Sequence, residues 1–182
     1  DEHPLHADPL NTLPAFAELQ QALLQNPYEM AERTLALWSQ QAELWRRMTT
    51  AWLGTENPEP VAAPARGDKR FRHEEWSQNR LFDYLKQSYL LTAKYLEGVA
   101  EEVGDLETRD RKKVAFFTKQ FVEAMSPTNF AAMNPEVLET TLQEKGENLV
   151  RGLRMMAEDL ERGKGRLLIR QTDMKRFKVG RD

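Results

Sequence analysis

Tryptophan recurs every seven residues at Trp38, Trp45 and Trp52, with Leu37, Leu44, Met48 and Ala51 beside it. A seven-residue repeat keeps one stripe aligned along a helix. Each Trp can bury about 150–250 Å². At ~25 cal/mol per Å², three of them represent on the order of 11–19 kcal/mol of burial, an upper bound because the unfolded chain hides part of that surface. Left in water, the stripe would match or exceed the largest apolar patch of a typical monomer. It has to face the domain's own core, a second copy, a partner helix or a hydrophobic surface. Leu37, Leu44, Met48 and the three Trp are therefore the candidate partner surface.

The flanks delimit this helix. Asn26 reads as an N-cap, Pro27 takes the first helical position, and Glu29 takes the third, where its carboxylate can reach back to a free backbone N–H. The helix should run to about Leu53, roughly 40 Å at 1.5 Å per residue. Residues 13–24 predict a shorter helix, with Pro14 in its first turn and Phe16, Leu19 and Leu23 at helical spacing. Residues 1–54 thus form an amphipathic helical arm. Gly54 to Gly67 carry Pro58, Pro60 and Pro64 without apolar periodicity, which places a linker at residues 55–67.

Residues 68–182 read as a helical domain. Phe71 and Trp76 lead into a helix over about 78–99 with Phe82, Leu85, Tyr89, Ala93 and Leu96 as its stripe. Thr108 caps the next, which carries Val114, Phe117, Phe121 and Met125 on one side. Ser126-Pro127 stops it, and Asn134-Pro135-Glu136 restarts one, Asn134 capping. Leu138, Leu142, Leu149, Leu153, Met156 and Leu160 continue the rhythm across Gly146, and Gly163-Lys164-Gly165 ends it. Leu167-Leu168-Ile169 reads as a short strand, or as the edge of something that continues past Asp182. The fold class is all-α, with that one strand at the C-terminal end.

Composition closes off several functions. The formal net charge is -3, which disfavours nucleic acid as a partner of the whole chain. Residues 1–65 are acidic and 162–181 basic; ends that face each other or face water explain this better than a partner site. The basic end has a single aromatic, Phe177, and no stacking series. No apolar run approaches the ~20 residues of a membrane span, and the polar start, Asp1-Glu2-His3-Pro4, is no secretory signal. Because residue 1 is not Met, the chain is expected to be a processed product or a cut domain. The absence of cysteine excludes a disulfide framework and thiolate chemistry.

Catalysis within the chain is not expected. No Gly-x-Ser-x-Gly elbow occurs, Ser126 sits in a helix stop, and His3, His6 and His73 lack a nucleophile in the required setting. His3, His6 and Asp8 make a poor metal site beside Pro4. Gly163-Lys164-Gly165 follows a helix where a phosphate loop follows a strand. Glu101-Glu102 and Glu158-Asp159 read as solvated faces. No catalytic, cofactor-binding or metal-binding residue is assigned. The Trp-bearing helix suits surface adsorption, and its mixed polar face of Glu32, Glu43, Arg46 and Arg47 fits a neutral hydrophobic surface better than an anionic bilayer.

Several short motifs in one order resemble the N-terminal region of class I polyhydroxyalkanoate synthases. They are Asp68-Lys69-Arg70-Phe71 with Trp76, Tyr84-Leu85-Lys86-Gln87-Ser88-Tyr89-Leu90-Leu91, Phe116-Phe117-Thr118-Lys119-Gln120, Ser126-Pro127-Thr128-Asn129-Phe130, Asn134-Pro135-Glu136, Gly146-Glu147-Asn148-Leu149-Val150-Arg151-Gly152-Leu153, Asp159-Leu160 and Phe177-Lys178-Val179-Gly180. The resemblance implies enzymes that polymerise 3-hydroxyacyl-CoA into polyester with release of CoA. It also implies a Cys-Asp-His catalytic half resembling an α/β-hydrolase, none of whose residues has a counterpart here. The implied role is that of an inactive N-terminal domain supporting homodimerisation through the full-length enzyme, cytoplasmic granule attachment and contact with granule-associated proteins. Phe116, Phe117 and Phe121 are expected in the core, and Trp76 and Tyr89 as packing anchors. A stand-alone, phasin-like granule scaffold is the alternative, and a helical regulator that oligomerises through the Trp arm is a weaker one.

Overall fold

The computed structural model describes residues 12–54, 59–102 and 106–165. Among them the chain is helical and holds no strand, so the all-α expectation holds; Leu167-Leu168-Ile169 lies outside the described residues. The chain divides into two compact units between Pro135 and Glu136.

The first unit contains α1 (Leu13–Gln25), α2 (Pro27–Trp52), α3 (Glu75–Gln78), α4 (Arg80–Glu102), α5 (Thr108–Ala124) and a 3-10 turn over Pro127–Asn129. Its organising contact is α2 against α4. The Thr34 hydroxyl meets the Tyr95 hydroxyl at 3.1 Å, and Ser88 Oγ donates to Gln41 Oε1 at 3.1 Å. Both pairs step by seven residues, in opposite directions, so the helices run antiparallel with a coiled-coil register. Leu91, between the polar pairs, and Leu44 and Met48, beyond Gln41, are buried, flanked by Leu37, Val61, Ala62 and Tyr84. A second cluster joins Ala15 and Leu19 of α1 to Ala100 of α4 and Val114 of α5. Full burial of each Leu contributes about 1.5–3 kcal/mol.

The Pro-rich segment after α2 is a strap across α4. The Val61 and Ala62 N–H groups both donate to Gln87 Oε1, at 2.6 and 3.2 Å, and Gln87 Nε2 donates to Asp83 at 2.7 Å. Arg47 Nη1 donates to the Glu59 carbonyl at 2.7 Å. Further along, Trp76 is buried edge-on against Phe71 and Phe82. Its carbonyl accepts from buried Lys86 at 2.6 Å, and Lys86 also pairs with Asp83 at 2.8 Å. Tyr89 accepts from Arg70 at 2.9 Å and donates to the Val122 carbonyl of α5 at 3.0 Å. The strap, α4 and α5 are thereby fixed to one another, because buried polar groups left without partners would each cost roughly 1–3 kcal/mol.

Four local expectations are corrected. Asn26 does not cap α2 with its side chain; its amide donates to the Ala22 carbonyl at 2.9 Å and closes α1. Glu29 turns forward to Arg33, at 3.0 Å, and Arg33 also reaches Glu102 of α4 at 3.0 Å; two charge-assisted bonds outweigh one to a helix-end amide. Glu107, not Thr108, occupies the N-cap position of α5. Phe116 and Phe121 are exposed, whereas Val114 and Val122 are buried. Phe116 lies two residues from Val114 and Phe121 one from Val122, rotations of about 200° and 100° off the buried line. The helix stop behaves as expected: buried Ser126 bonds Thr128 at 2.8 Å, and Asn129 Nδ2 donates to the last carbonyls of α5.

The second unit begins one residue into α6 (Pro135–Gln143), which a turn joins to α7 (Glu147–Arg162). Gly146, at φ +88, takes the left-handed conformation that a side chain would strain. The apolar rhythm of the sequence is thus split between two helices. Asn148 Nδ2 donates to Thr141 Oγ1 and Arg151 pairs with Glu144, both at 2.8 Å. No residue of α7 is buried. Its end at Gly163 matches the expected stop, the Gly163 N–H bonding the Asp159 carbonyl at 2.9 Å.

Candidate partner-binding surface

Helix α2 carries two heptad stripes offset by one residue. The inner stripe is Thr34, Leu37, Gln41, Leu44, Met48 and Ala51, and α4 covers it. The outer stripe is Tyr28, Leu35, Trp38, Ala42, Trp45, Thr49 and Trp52. Trp38, Trp45 and Trp52 are 66 %, 53 % and 51 % exposed. A one-residue step turns a helix by about 100°, enough to carry a side chain from the covered seam to its open flank.

The candidate surface residues therefore separate. Leu44 and Met48 are buried in the chain's own core and Leu37 is half-buried beside them. Trp38, Trp45 and Trp52 remain outside. Tyr28 and Leu35, both exposed, extend the outer stripe and were not singled out from the sequence. The available signal was spacing: Leu35 precedes Trp38 by three residues, and Tyr28 precedes Leu35 by seven.

The outer stripe is braced. Trp45 meets Trp52 edge-on at 6.2 Å and Tyr84 of α4 at 6.0 Å, geometries that aromatic quadrupoles favour. Beside it, Glu43 accepts from Arg46 and Arg47, each at 2.7 Å. Hydrogen bonds from Arg46 and then Arg47 hold the Glu43 carboxyl down at about 2. At the opposite end of α2, the bond to Glu102 raises the Arg33 pKa. Arg33, Arg46 and Arg47 are thus each paired with a carboxylate of the chain, and the helix presents no cationic excess.

The remaining candidates hold structural positions. His73 Nδ1 accepts the Glu75 N–H at 3.3 Å at the start of α3, while His3, His6 and Asp8 lie outside the described residues. Among the described residues no cluster of His, Cys, Asp or Glu could hold a metal ion, and no helix is long and apolar enough to cross a membrane. An open groove of about 1160 Å³ between the strap, α4 and α5 mixes Lys69, Arg70, Lys94 and Lys119 with Asp68, Glu97 and Glu123, with Arg70 paired to Asp68, so the lining is of mixed sign.

Residues 67–182 match the family described as poly-beta-hydroxybutyrate polymerase (PhaC) N-terminus. The chain belongs to this family. It is 42 % identical over 159 residues to a poly(3-hydroxyalkanoate) polymerase of Methylorubrum extorquens, covering 87 % of this chain and 26 % of that one. It is 37 % identical over 180 residues to a poly(3-hydroxyalkanoate) polymerase subunit of Rhizobium etli, covering 96 % and 28 %. To the corresponding subunit of Cupriavidus necator it is 40 % identical over 115 residues, covering 63 % and 19 %. No solved structure matches. The chain thus spans about a quarter of the length of the first two relatives. The family match contains α3 to α7 and the motifs from Asp68 onward, while the Rhizobium etli alignment covers a share that has to include most of α2.

Proposed function

We propose that this chain is the non-catalytic N-terminal part of a polyhydroxyalkanoate synthase, which polymerises 3-hydroxyacyl-CoA into polyester and releases CoA, and that α2 attaches it to the polyester granule in the cytoplasm. The observation carrying the attachment is the outer stripe: three Trp aligned on a helix whose adjacent side is locked to α4. Indole suits such a surface, because its ring packs on apolar chain while its N–H donates to an ester carbonyl. The internally paired Glu43, Arg46 and Arg47 favour a neutral surface over an anionic bilayer.

The test is sedimentation of the chain with amorphous poly(3-hydroxybutyrate) particles, compared with neutral and anionic vesicles. Binding to the particles alone is expected, with at least a tenfold loss when Trp38, Trp45 and Trp52 are all changed to Ala. Equal binding to anionic vesicles, or full retention by the triple variant, overturns the attachment. The chain alone is expected to release no CoA from 3-hydroxybutyryl-CoA; measured release would overturn the non-catalytic role.

The heptad spacing of the outer stripe favours a second reading, homodimerisation through paired α2 helices, because a seven-residue repeat is what a partner helix requires. A sedimentation coefficient that rises with concentration for the parent chain and not for the triple variant would favour this dimer.

A further inference from the structure

Helix α7 has an apolar face of a different kind. Leu149, Leu153, Met156 and Leu160 follow spacings of four, three and four, with Val150 alongside. All but Leu160 are 44–62 % exposed, and no residue of the helix is buried. On its polar side Arg151 pairs with Glu144 and Arg162 with Glu158. A 16-residue helix is marginal in water unless something packs on its apolar face. The part of α7 that calls for cover is therefore its apolar face.

The extent of the face decides between occupants. A stable interface between separate molecules uses about 20–30 residues a side, and α7 offers a handful. So small a patch suffices only for a partner already tethered, where the effective concentration reaches the millimolar range without a fresh association cost. The relatives supply such a partner. The matched segment is 26–28 % of the first two, and the family match continues from the end of α7 at Arg162 to residue 182.

Resting on the reading of this chain as the N-terminal part of a polymerase, we propose that the Leu149–Val150–Leu153–Met156 face of α7 docks onto the remaining, catalytic portion of the same polypeptide. Helix α2 then serves the granule and α7 the enzyme, through separate surfaces.

Backbone amide exchange tests this. Rates across Leu149–Met156 are measured in the 182-residue chain and in a chimera where this chain replaces the matched segment of the Methylorubrum extorquens polymerase. Exchange at least about tenfold slower in the chimera is expected, with the protection lost in Leu153→Lys/Met156→Lys while α4 amides stay unchanged. Equal rates in chain and chimera overturn the proposal. So does protection already present in the isolated chain; if it grows with concentration the occupant is a second copy, and if it does not the chain covers α7 itself. The same comparison on the relative, whole and cut to its matched segment, decides the matter if the chimera fails to fold. Because α7 exchange is read independently of particle binding, failure here is distinguishable from failure of the granule reading.

Discussion

The inner and outer faces of α2 share one helix and one repeat, yet they end in different surroundings. Leu44 is 1 % exposed and Leu35, nine residues earlier, 68 %. The inner face uses medium side chains and polar residues with assigned partners, Thr34 with Tyr95 and Gln41 with Ser88. The outer face holds the largest side chains of the helix. A chain optimised only for its own core would bury its indoles. Leaving them aligned on the open side separates stability, which resides on the inner face, from attachment, which we assign to the outer one.

The largest effect expected from this division is on stability. Leu44→Ala removes a fully buried side chain between Met48 and Leu91 and should cost about 2–5 kcal/mol. Leu35→Ala, the same change on the outer face, should cost less than about 1 kcal/mol, since most of that side chain is already in water. Urea unfolding of the two variants measures both. Comparable losses would mean that the outer face is also covered, and the comparison would break.

Next in size is the strap, which closes one edge of the inner face. Gln87→Leu removes the single oxygen that accepts from both the Val61 and Ala62 N–H groups. Leaving these amides without that acceptor should cost about 1–3 kcal/mol. Amide exchange at positions 61 and 62 should accelerate, while particle binding by the Trp face persists. Loss of that binding in Gln87→Leu would show that the two faces are coupled.

These contrasts also mark how far the sequence could be read. Pro27 and Pro135 announced helix starts, Ser126-Pro127 a stop, and the 38-45-52 repeat a helix needing cover, because those signals act within a few residues. Which neighbour provides the cover depends on the rest of the chain. The inner and outer stripes have the same period, and only the placement of α4 separates Leu44 from Trp45. For the same reason Phe116 and Phe121 were expected inside, and nothing local announced that Gln87 and Arg47 hold residues 59–62. Asn26 and Glu29 matched a capping pattern, but each found a stronger partner in Ala22 or Arg33. Motif order from Asp68 identified the family, a signal independent of packing.

The smallest expected effect lies on the rim between the two faces. Glu43 is held down at about 2, from a usual 4.5, chiefly by its bond from Arg46 and then by that from Arg47. A depressed carboxyl stabilises the fold above its unfolded pKa and loses that contribution as pH falls through the folded one. The contribution should therefore be whole above about pH 5 and gone near pH 2, and its size is limited by solvent screening at this open site. Arg47 also holds the Glu59 carbonyl of the strap, so acid should loosen the inner edge first. Urea midpoints of the parent chain and Glu43→Gln should differ by a constant amount from pH 8 to 5 and converge below pH 4. Particle binding, carried by uncharged indoles, should stay level over the same pH 8 to 5 range. Binding that followed the Glu43 titration instead would place the rim charges, and not the Trp stripe, at the centre of attachment.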